Sequence, residues 1–488
     1  MAAITEQTTN SEPKLSWARR IGYGVGDIYG GGSIVVVNFY YLIFLVDVVR
    51  LSPALAGTVI LISKVYDSIT DPFEGLLSDR TRTRWGRRRP YFLIGIPLVF
   101  FSFIALFYPH TVSAEWQRFA LVLLSYLFFS TIVSIVMLNY NAAQSEITLD
   151  YNERTSLSTV RIFFSTIASI FAALIPLEIV KQFDSVRDGY LAMGIFFGLF
   201  FAIPFIFVFF AVKERPEFQK EQVEFDWRIA FIEPFKVKTF VYALLMYLAA
   251  FVAMDTVSSI VVFYMKYYIL RGDEANFVAG GLLVFQVLSL PFYAWLSKRT
   301  SKRFAFMVGG TVFFLSMFLS FLLAPGQPFI LIYLFVAIVG IGTGGVVVMM
   351  FAIFPDIPDV DELRSGERRE GVYSALITFI RKLSSAVALF AVGISIDWAG
   401  YMQPVEEIVD GTKTLVEQPQ TDTFIVVLRV IFVVVPVVLV ATSLFFARKY
   451  PLTPELHQRL NAVLAQRRAG EASAEIDAES AELENLLI

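Results

Sequence analysis

Residues 71–84, DPFEGLLSDRTRTR, line up without a gap against residues 290–303, LPFYAWLSKRTSKR. Pro72 matches Pro291, Phe73 matches Phe292, Ser78 matches Ser297 and Arg80 matches Arg299. The two stretches read as copies of one helix end and the loop that follows it. A chain that repeats itself at this separation is built from two like units in parallel. Weaker support comes from Ser145-Glu146-Ile147 and Pro355-Asp356-Ile357, each closing the fourth apolar block of its half.

The surroundings of these repeats fix what the units are made of. Hydrophobic residues make up 56% of the 488 and charged residues only 17%, a balance foreign to ordinary soluble proteins. The apolar residues gather in continuous blocks of roughly twenty, the length a helix needs to cross about 30 Å of hydrocarbon. Spanning helices are expected near 20–48, 53–79, 90–108, 117–147, 157–180 and 189–213, then near 237–270, 275–297, 304–323, 327–354, 369–399 and 422–447. A membrane barrel would instead alternate over segments of about ten residues. The chain is therefore read as an all-α polytopic membrane protein. It divides into a polar tail (1–16), a six-helix bundle (17–213), a linker (214–236), a second six-helix bundle (237–447) and a C-terminal tail (448–488). In that last tail Thr453-Pro454-Glu455 caps a short amphipathic helix to about Arg468, and the Ala-, Glu- and Ser-rich remainder is expected to be disordered.

Every second connector is basic: Arg80 to Arg89, Arg154, Lys213 to Lys238, Lys298 to Arg303, Arg364 to Arg369. By the positive-inside rule both termini are cytoplasmic, in a cell (inner) membrane. No cleavable signal is expected in the first sixteen residues, so the first helix is expected to direct insertion. There is no cysteine, and the histidines are His110 and His457 alone, which leaves thiol and histidine-cluster metal chemistry without material. No nucleophile–base constellation of an enzyme is found, and no nucleic-acid partner or resident cofactor is expected. The expected partners are the bilayer, a small solute and a coupling cation, and the expected state is a monomer.

The second block carries Lys64, Asp67, Asp71, Glu74 and Ser78. At about 100° per residue these fall within a stripe roughly 80° wide, one polar face on an apolar helix. Asp67 and Asp71 lie one turn apart, and two buried anions about 5–6 Å from each other are costly unless a proton or a hard cation sits between them. Na⁺ or H⁺ is the expected occupant. The alternative is a permanent ion-pair network with Lys64 or with a base from another helix. Against it, the second copy places Gln286 and Leu290 where the first has the acids, so packing alone does not require them. Asp255, in the middle of another apolar span, either contacts substrate or moves a proton, or is a hydrogen-bonded structural acid.

The run KVYDSITDPFEGLLSDRTRTRWGRRRP at 64–90 resembles the second helix and following loop of the glycoside–pentoside–hexuronide:cation symporters, a branch of the major facilitator superfamily. Similar agreement is found at GYGVGD (22–27), DVVRLS (47–52), EITLDYNERTSL (146–157) and DIPDVDELRSGERREGVYSALITFIRK (356–382). The resemblance implies a twelve-helix major facilitator fold around a central cavity that opens alternately to each side. It implies Asp67 and Asp71 as the paired cation carboxylates, Thr70 between them, Ser134 as a hydroxyl ligand, and Lys382 beside the site. An intramembrane lysine needs a carboxylate partner in any case, unless it snorkels to the interface.

The same resemblance implies a cytoplasmic gate of Asp79, Arg80, Arg87, Arg88, Glu146 and Arg154, matched in the other half by Asp356 and Arg368. Those arginines would also orient the protein if they gated nothing. Melibiose-type members bind sugar through carboxylates whose positions are Gly31 and about Met137 here, so both acids are missing. The remaining substrate candidates are Asp27, Asn38, Tyr40, Asn141, Arg161 and Asp255, with Asn139 and Gln144 close by. Asp27 has the alternative of bracing the cytoplasmic end of the first helix. An uncompensated Arg161 would favour a solute bearing a carboxylate. The expected function is cation-coupled symport of a sugar, glycoside or related polar solute by alternating access. The rivals are a carrier of an amphiphilic or lipid-like solute and a non-transporting membrane sensor, the latter disfavoured by the retained Asp67 and Asp71.

Overall fold

The structure, a computed structural model, describes residues 15–148, 151–212, 228, 231–367, 369–409, 412–469 and 473–488. Its long helical spans are α1 (residues 17–48), α2 (Pro53–Arg80), α3 (Arg89–Leu106), α4 (Glu115–Ile147), α5 (Tyr151–Val180) and α6 (Val186–Ala211). The second half repeats them as α7 (Lys238–Tyr268), α8 (Ala275–Arg299), α9 (Lys302–Leu319), α10 (Phe329–Ile353), α11 (Glu370–Trp398) and α12 (Asp422–Lys449). Serine and threonine side chains start several of them, Ser301 accepting from Phe304 N at 3.0 Å before α9 and Thr421 from Phe424 N at 3.1 Å before α12.

Ten of these spans, α3 to α12, are long and apolar enough to cross a membrane. The other two fall short for opposite reasons. α1 is broken into Trp17–Gly24, Asp27–Val36 and the π-helical turns Val37–Tyr41 and Phe44–Val48. α2 is continuous but carries Lys64, Asp67, Asp71 and Glu74 in its interior.

The internal repeat extends to backbone detail. α1 closes with Val49 N bonded to Phe44 O and Leu51 N to Leu45 O around a left-handed Arg50 (φ 63°). α7 closes with Ile269 N bonded to Tyr264 O and Arg271 N to Met265 O around a left-handed Leu270 (φ 61°). Each is a π-type turn followed by a residue that breaks the helix, at the same place in each half.

With twelve helical spans in succession, Trp17 at the start of α1 and Lys449 at the end of α12 lie on one face, called here the terminal face. The opposite, far face is where the halves meet: α2 packs on α11, α5 on α8 and α1 on α7. One apolar core runs through the N-terminal half and continues into the far-face ends of α7, α8, α10, α11 and α12. The terminal-face end of the C-terminal half has a separate core.

Two features differ from the sequence expectation. The α11–α12 connector holds an antiparallel hairpin, β1 (Val405–Val409) and β2 (Thr412–Val416). In the C-terminal tail α13 (Pro454–Arg468) is followed by a second helix, α14 (Ala474–Leu487), where disorder was expected. Ile476, Leu483 and Leu487 are buried in the second core, and Arg459 pairs with Glu479 at 2.6 Å. A stripe of three apolar side chains suffices here because the bundle supplies the surface it covers.

Candidate functional site

The cavity, of about 750 Å³, lies between the halves, lined from α1 by Ser33, Val37 and Asn38, from α4 by Ser130, Ser134 and Asn141, and from α11 by Thr378, Lys382 and Ser385. α2 contributes Lys64, Asp67 and Asp71, and Arg88 stands at the terminal-face end. The i, i+4 spacing of Asp67 and Asp71 meets the same spacing of Ser130 and Ser134 on α4. Ser130 Oγ donates to Asp67 Oδ1 at 2.5 Å, and the Ser134 hydroxyl donates to Asp71 Oδ1. Each carboxylate also meets a lysine: Lys64 Nζ is 3.5 Å from Asp67 Oδ2, and Lys382 Nζ is 2.6 Å from Asp71 Oδ2. Lys382 thus has a carboxylate partner inside the bundle and ties α11 of one half to α2 of the other. Asp67 is 4% exposed, and a carboxylate so buried needs this paired and hydrogen-bonded surrounding. Among the described residues no group of three or more acidic or histidine side chains is placed to hold a metal ion. The oxygens that meet there are two carboxylates with their two hydroxyls, and Glu74 faces Ser134 and Asp71 beside them.

The remaining candidates divide. Thr70 gives its hydroxyl proton to Tyr66 O of its own helix at 3.1 Å, and it does not line the cavity. Asn38 and Asn141 line the cavity. Tyr40 is fully buried and donates to Ala173 O, facing α5. Arg161 is not uncompensated: it donates to Asp27 Oδ1 at 3.3 Å, Asn141 Oδ1 at 2.6 Å and Gln144 Oε1 at 2.5 Å, over the Tyr140 ring at 4.6 Å. The Asp27–Arg161 pair ties α1 to α5. Asp255 is likewise paired, in a bidentate bond with Arg381 at 2.6 and 2.8 Å, the geometry in which guanidinium and carboxylate bind most strongly. Neither residue of that pair lines the cavity. A β-carbon at Gly31 would lie 2.2 Å from Ser165 Oγ, so α1 leaves no room there for an acid. Met137 does line the cavity.

Of the gate residues, Arg88 is buried and donates to Ser78 Oγ at 2.9 Å and Asn139 Oδ1 at 3.3 Å. Asp356 pairs with Lys302 at 2.6 Å within the C-terminal half, and Arg87 is half-buried. The side chains of Asp79, Arg80, Glu146 and Arg154 lie outside those described, as does Arg368 altogether.

The far face carries a polar seal that the sequence reading missed. Asp47 of α1 accepts from Lys266 Nζ at 2.6 Å, from Tyr267 Oη at 2.8 Å and from the Tyr401 hydroxyl. Asn276 of α8 donates to Glu178 Oε1 of α5 at 3.0 Å, and Gln403 donates to Leu51 O at 2.8 Å. α2 and α11 touch through glycines: a β-carbon at Gly393 would lie 2.4 Å from Pro53 O. These contacts close the far face, while the cavity extends from the carboxylate pairs toward the terminal face, past Asn141, Thr378 and Arg88.

Two like six-helix halves around a cavity sealed at one end make this a membrane transporter of the major facilitator fold. The sequence matches the family described as MFS/sugar transport protein over residues 22–454. The chain belongs to that family, in its glycoside–pentoside–hexuronide:cation symporter branch. It is 27% identical to the putative glycoside/cation symporter YagG of Escherichia coli, over 96% of this chain and 99% of that one. It is 25% identical to the isoprimeverose transporter of Lactiplantibacillus pentosus, over 80% and 81%. The fold is similar to the inward-open xylose transporter XylE of E. coli, with TM-score 0.60, 14% identity, and coverage of 91% of this chain and 98% of that one.

Proposed function

We propose that this protein carries a sugar or glycoside across the membrane by symport with Na⁺ or H⁺, and that the cation binds between Asp67 and Asp71. The observation that carries this reading is the pair of carboxylate–hydroxyl contacts on the cavity wall, each carboxylate held by one lysine. Ammonium groups occupy the carboxylates in the absence of the cation. A hard cation takes carboxylate and hydroxyl oxygens, and in doing so replaces the Lys382–Asp71 tie between the halves. With that tie gone and the solute seated against Asn38 and Asn141, the halves rock about the site, the far-face contacts of Asp47 part and the terminal face closes. Arg88 and the arginines beside it belong to that closure. Both termini are cytoplasmic, which makes the observed cavity open to the cytoplasm, and the carrier works as a monomer in the cell inner membrane.

Uptake of a panel of labelled sugars into proteoliposomes under an imposed Na⁺ or pH gradient tests the reading. Asp67→Asn and Asp71→Asn remove charge at constant volume, and each reduces gradient-driven accumulation to the passive level. Accumulation by both variants equal to that of the unaltered protein overturns it.

A further inference from the structure

Among the described residues five charged side chains line the cavity: Lys64, Arg88 and Lys382 against Asp67 and Asp71. Arg88 is engaged with Ser78 and Asn139 on the wall. Glu74, one turn beyond Asp71, is buried at 9% exposure and does not line the cavity, but it faces Ser134 and Asp71 and lies within reach of the Lys382 charge. The two lysines stand apart from all of these, because the carboxylate each one holds is a carboxylate of the proposed cation site. Besides Asp67, Lys64 faces the Tyr126 ring, 5.9 Å away, and feels the charge of Asp71.

A cation seated between Asp67 and Asp71 competes with the two ammonium groups for the same negative charge and repels them. When the cation enters, it draws on the negative charge that Lys64 and Lys382 face, and both lysines remain on the cavity wall. Before that step each lysine meets one aspartate, with Glu74 beside Asp71; the cation adds one more positive charge to this group. Free ammonium groups in a cavity with this much apolar wall, which includes Ile34, Val37, Phe129, Val133 and Leu389, are costly unless an anion meets them.

Resting on the symport reading above, we propose that Lys64 and Lys382 form an anion site that exists only while the cation is bound, and that the favoured solute is a sugar bearing a carboxylate. Coupling then follows from exchange of partners: the cation releases the lysines from the aspartates, and the solute's carboxylate receives them. This places the preference for acid on the two lysines and not on Arg161, whose charge Asp27 already meets.

Binding of 4-nitrophenyl β-D-glucuronide and of its neutral match, 4-nitrophenyl β-D-glucoside, to the purified protein tests this, with and without the cation that drives uptake. The cation is expected to tighten the glucuronide about tenfold or more, the scale of one gained charge-assisted contact, and to leave the glucoside nearly unchanged. Lys64→Gln and Lys382→Gln should each diminish that difference, and Lys64→Arg and Lys382→Arg should keep most of it, which separates charge from folding. Equal tightening of both sugars in the unaltered protein overturns the inference and leaves the symport reading standing. Binding of both sugars that ignores the cation overturns the two together.

Discussion

α2 with α4, and α8 with α10, are the same pair of helices in the two halves, yet they are joined by opposite means. In the N-terminal pair Asp67 meets Ser130 and Asp71 meets Ser134, so oxygen-bearing side chains fill the space between the helices. The register that aligns 71–84 with 290–303 puts Gln286 and Leu290 in place of the acids. The register that aligns Ser145 with Pro355 puts Gly340 and Gly344 in place of the serines. There the backbones close on one another: a β-carbon at Gly340 would lie 2.6 Å from Leu282 O, and one at Gly344 would lie 2.0 Å from Ser289 Oγ. Small residues let membrane helices approach and gain packing, and the C-terminal pair uses that. The N-terminal pair gives it up for a polar seam. One scaffold, duplicated, is thus specialised by four positions into a packed wall and a charged one.

That contrast can be broken by moving a residue across it. Gly344→Ser restores the N-terminal residue type where no space exists for it, and it should destabilise the protein by about 1–3 kcal/mol, the usual cost of overpacking. Thermal unfolding in detergent measures this, and an unshifted midpoint would show that α8 and α10 are less tightly joined than described. The smaller test sharpens the other side. Ser130→Ala or Ser134→Ala removes one hydrogen bond to a carboxylate, a contribution of about 1.5–3 kcal/mol, so the cation concentration for half-maximal uptake should rise about tenfold or more. No rise in either variant would remove the hydroxyls from the cation's surroundings.

Much of this architecture can be read from the chain itself. The spans follow from continuous apolar blocks, and the charged wall from an 80° polar stripe on α2, because helical periodicity is a local property. What escapes is set by contacts distant in sequence. Asp255 looks alone among apolar residues until the fold brings Arg381 from α11. Arg161 looks uncompensated until α1 and α5 pack and supply Asp27. Ser130 carried a usable signal, since Ser130 and Ser134 share the four-residue spacing of Asp67 and Asp71, but only the packing of α4 on α2 makes the spacings meet. α14 hid because its apolar residues are few and its sequence rich in acid, and its order comes from the bundle beneath it. The Asp47 cluster draws on α1, α7 and Tyr401 of the α11–α12 connector, far apart in the chain.

The central claim is that Asp67 and Asp71 hold the coupling cation and that two lysines stand in for it. Direct binding to purified protein tests this most plainly: retention of radioactive Na⁺, with release or uptake of protons into weakly buffered solution followed on the same samples. The account predicts saturable binding of one of the two cations by the unaltered protein, lost in Asp67→Asn and in Asp71→Asn although both remain folded. Binding of the same cation with unchanged affinity in both variants would contradict it.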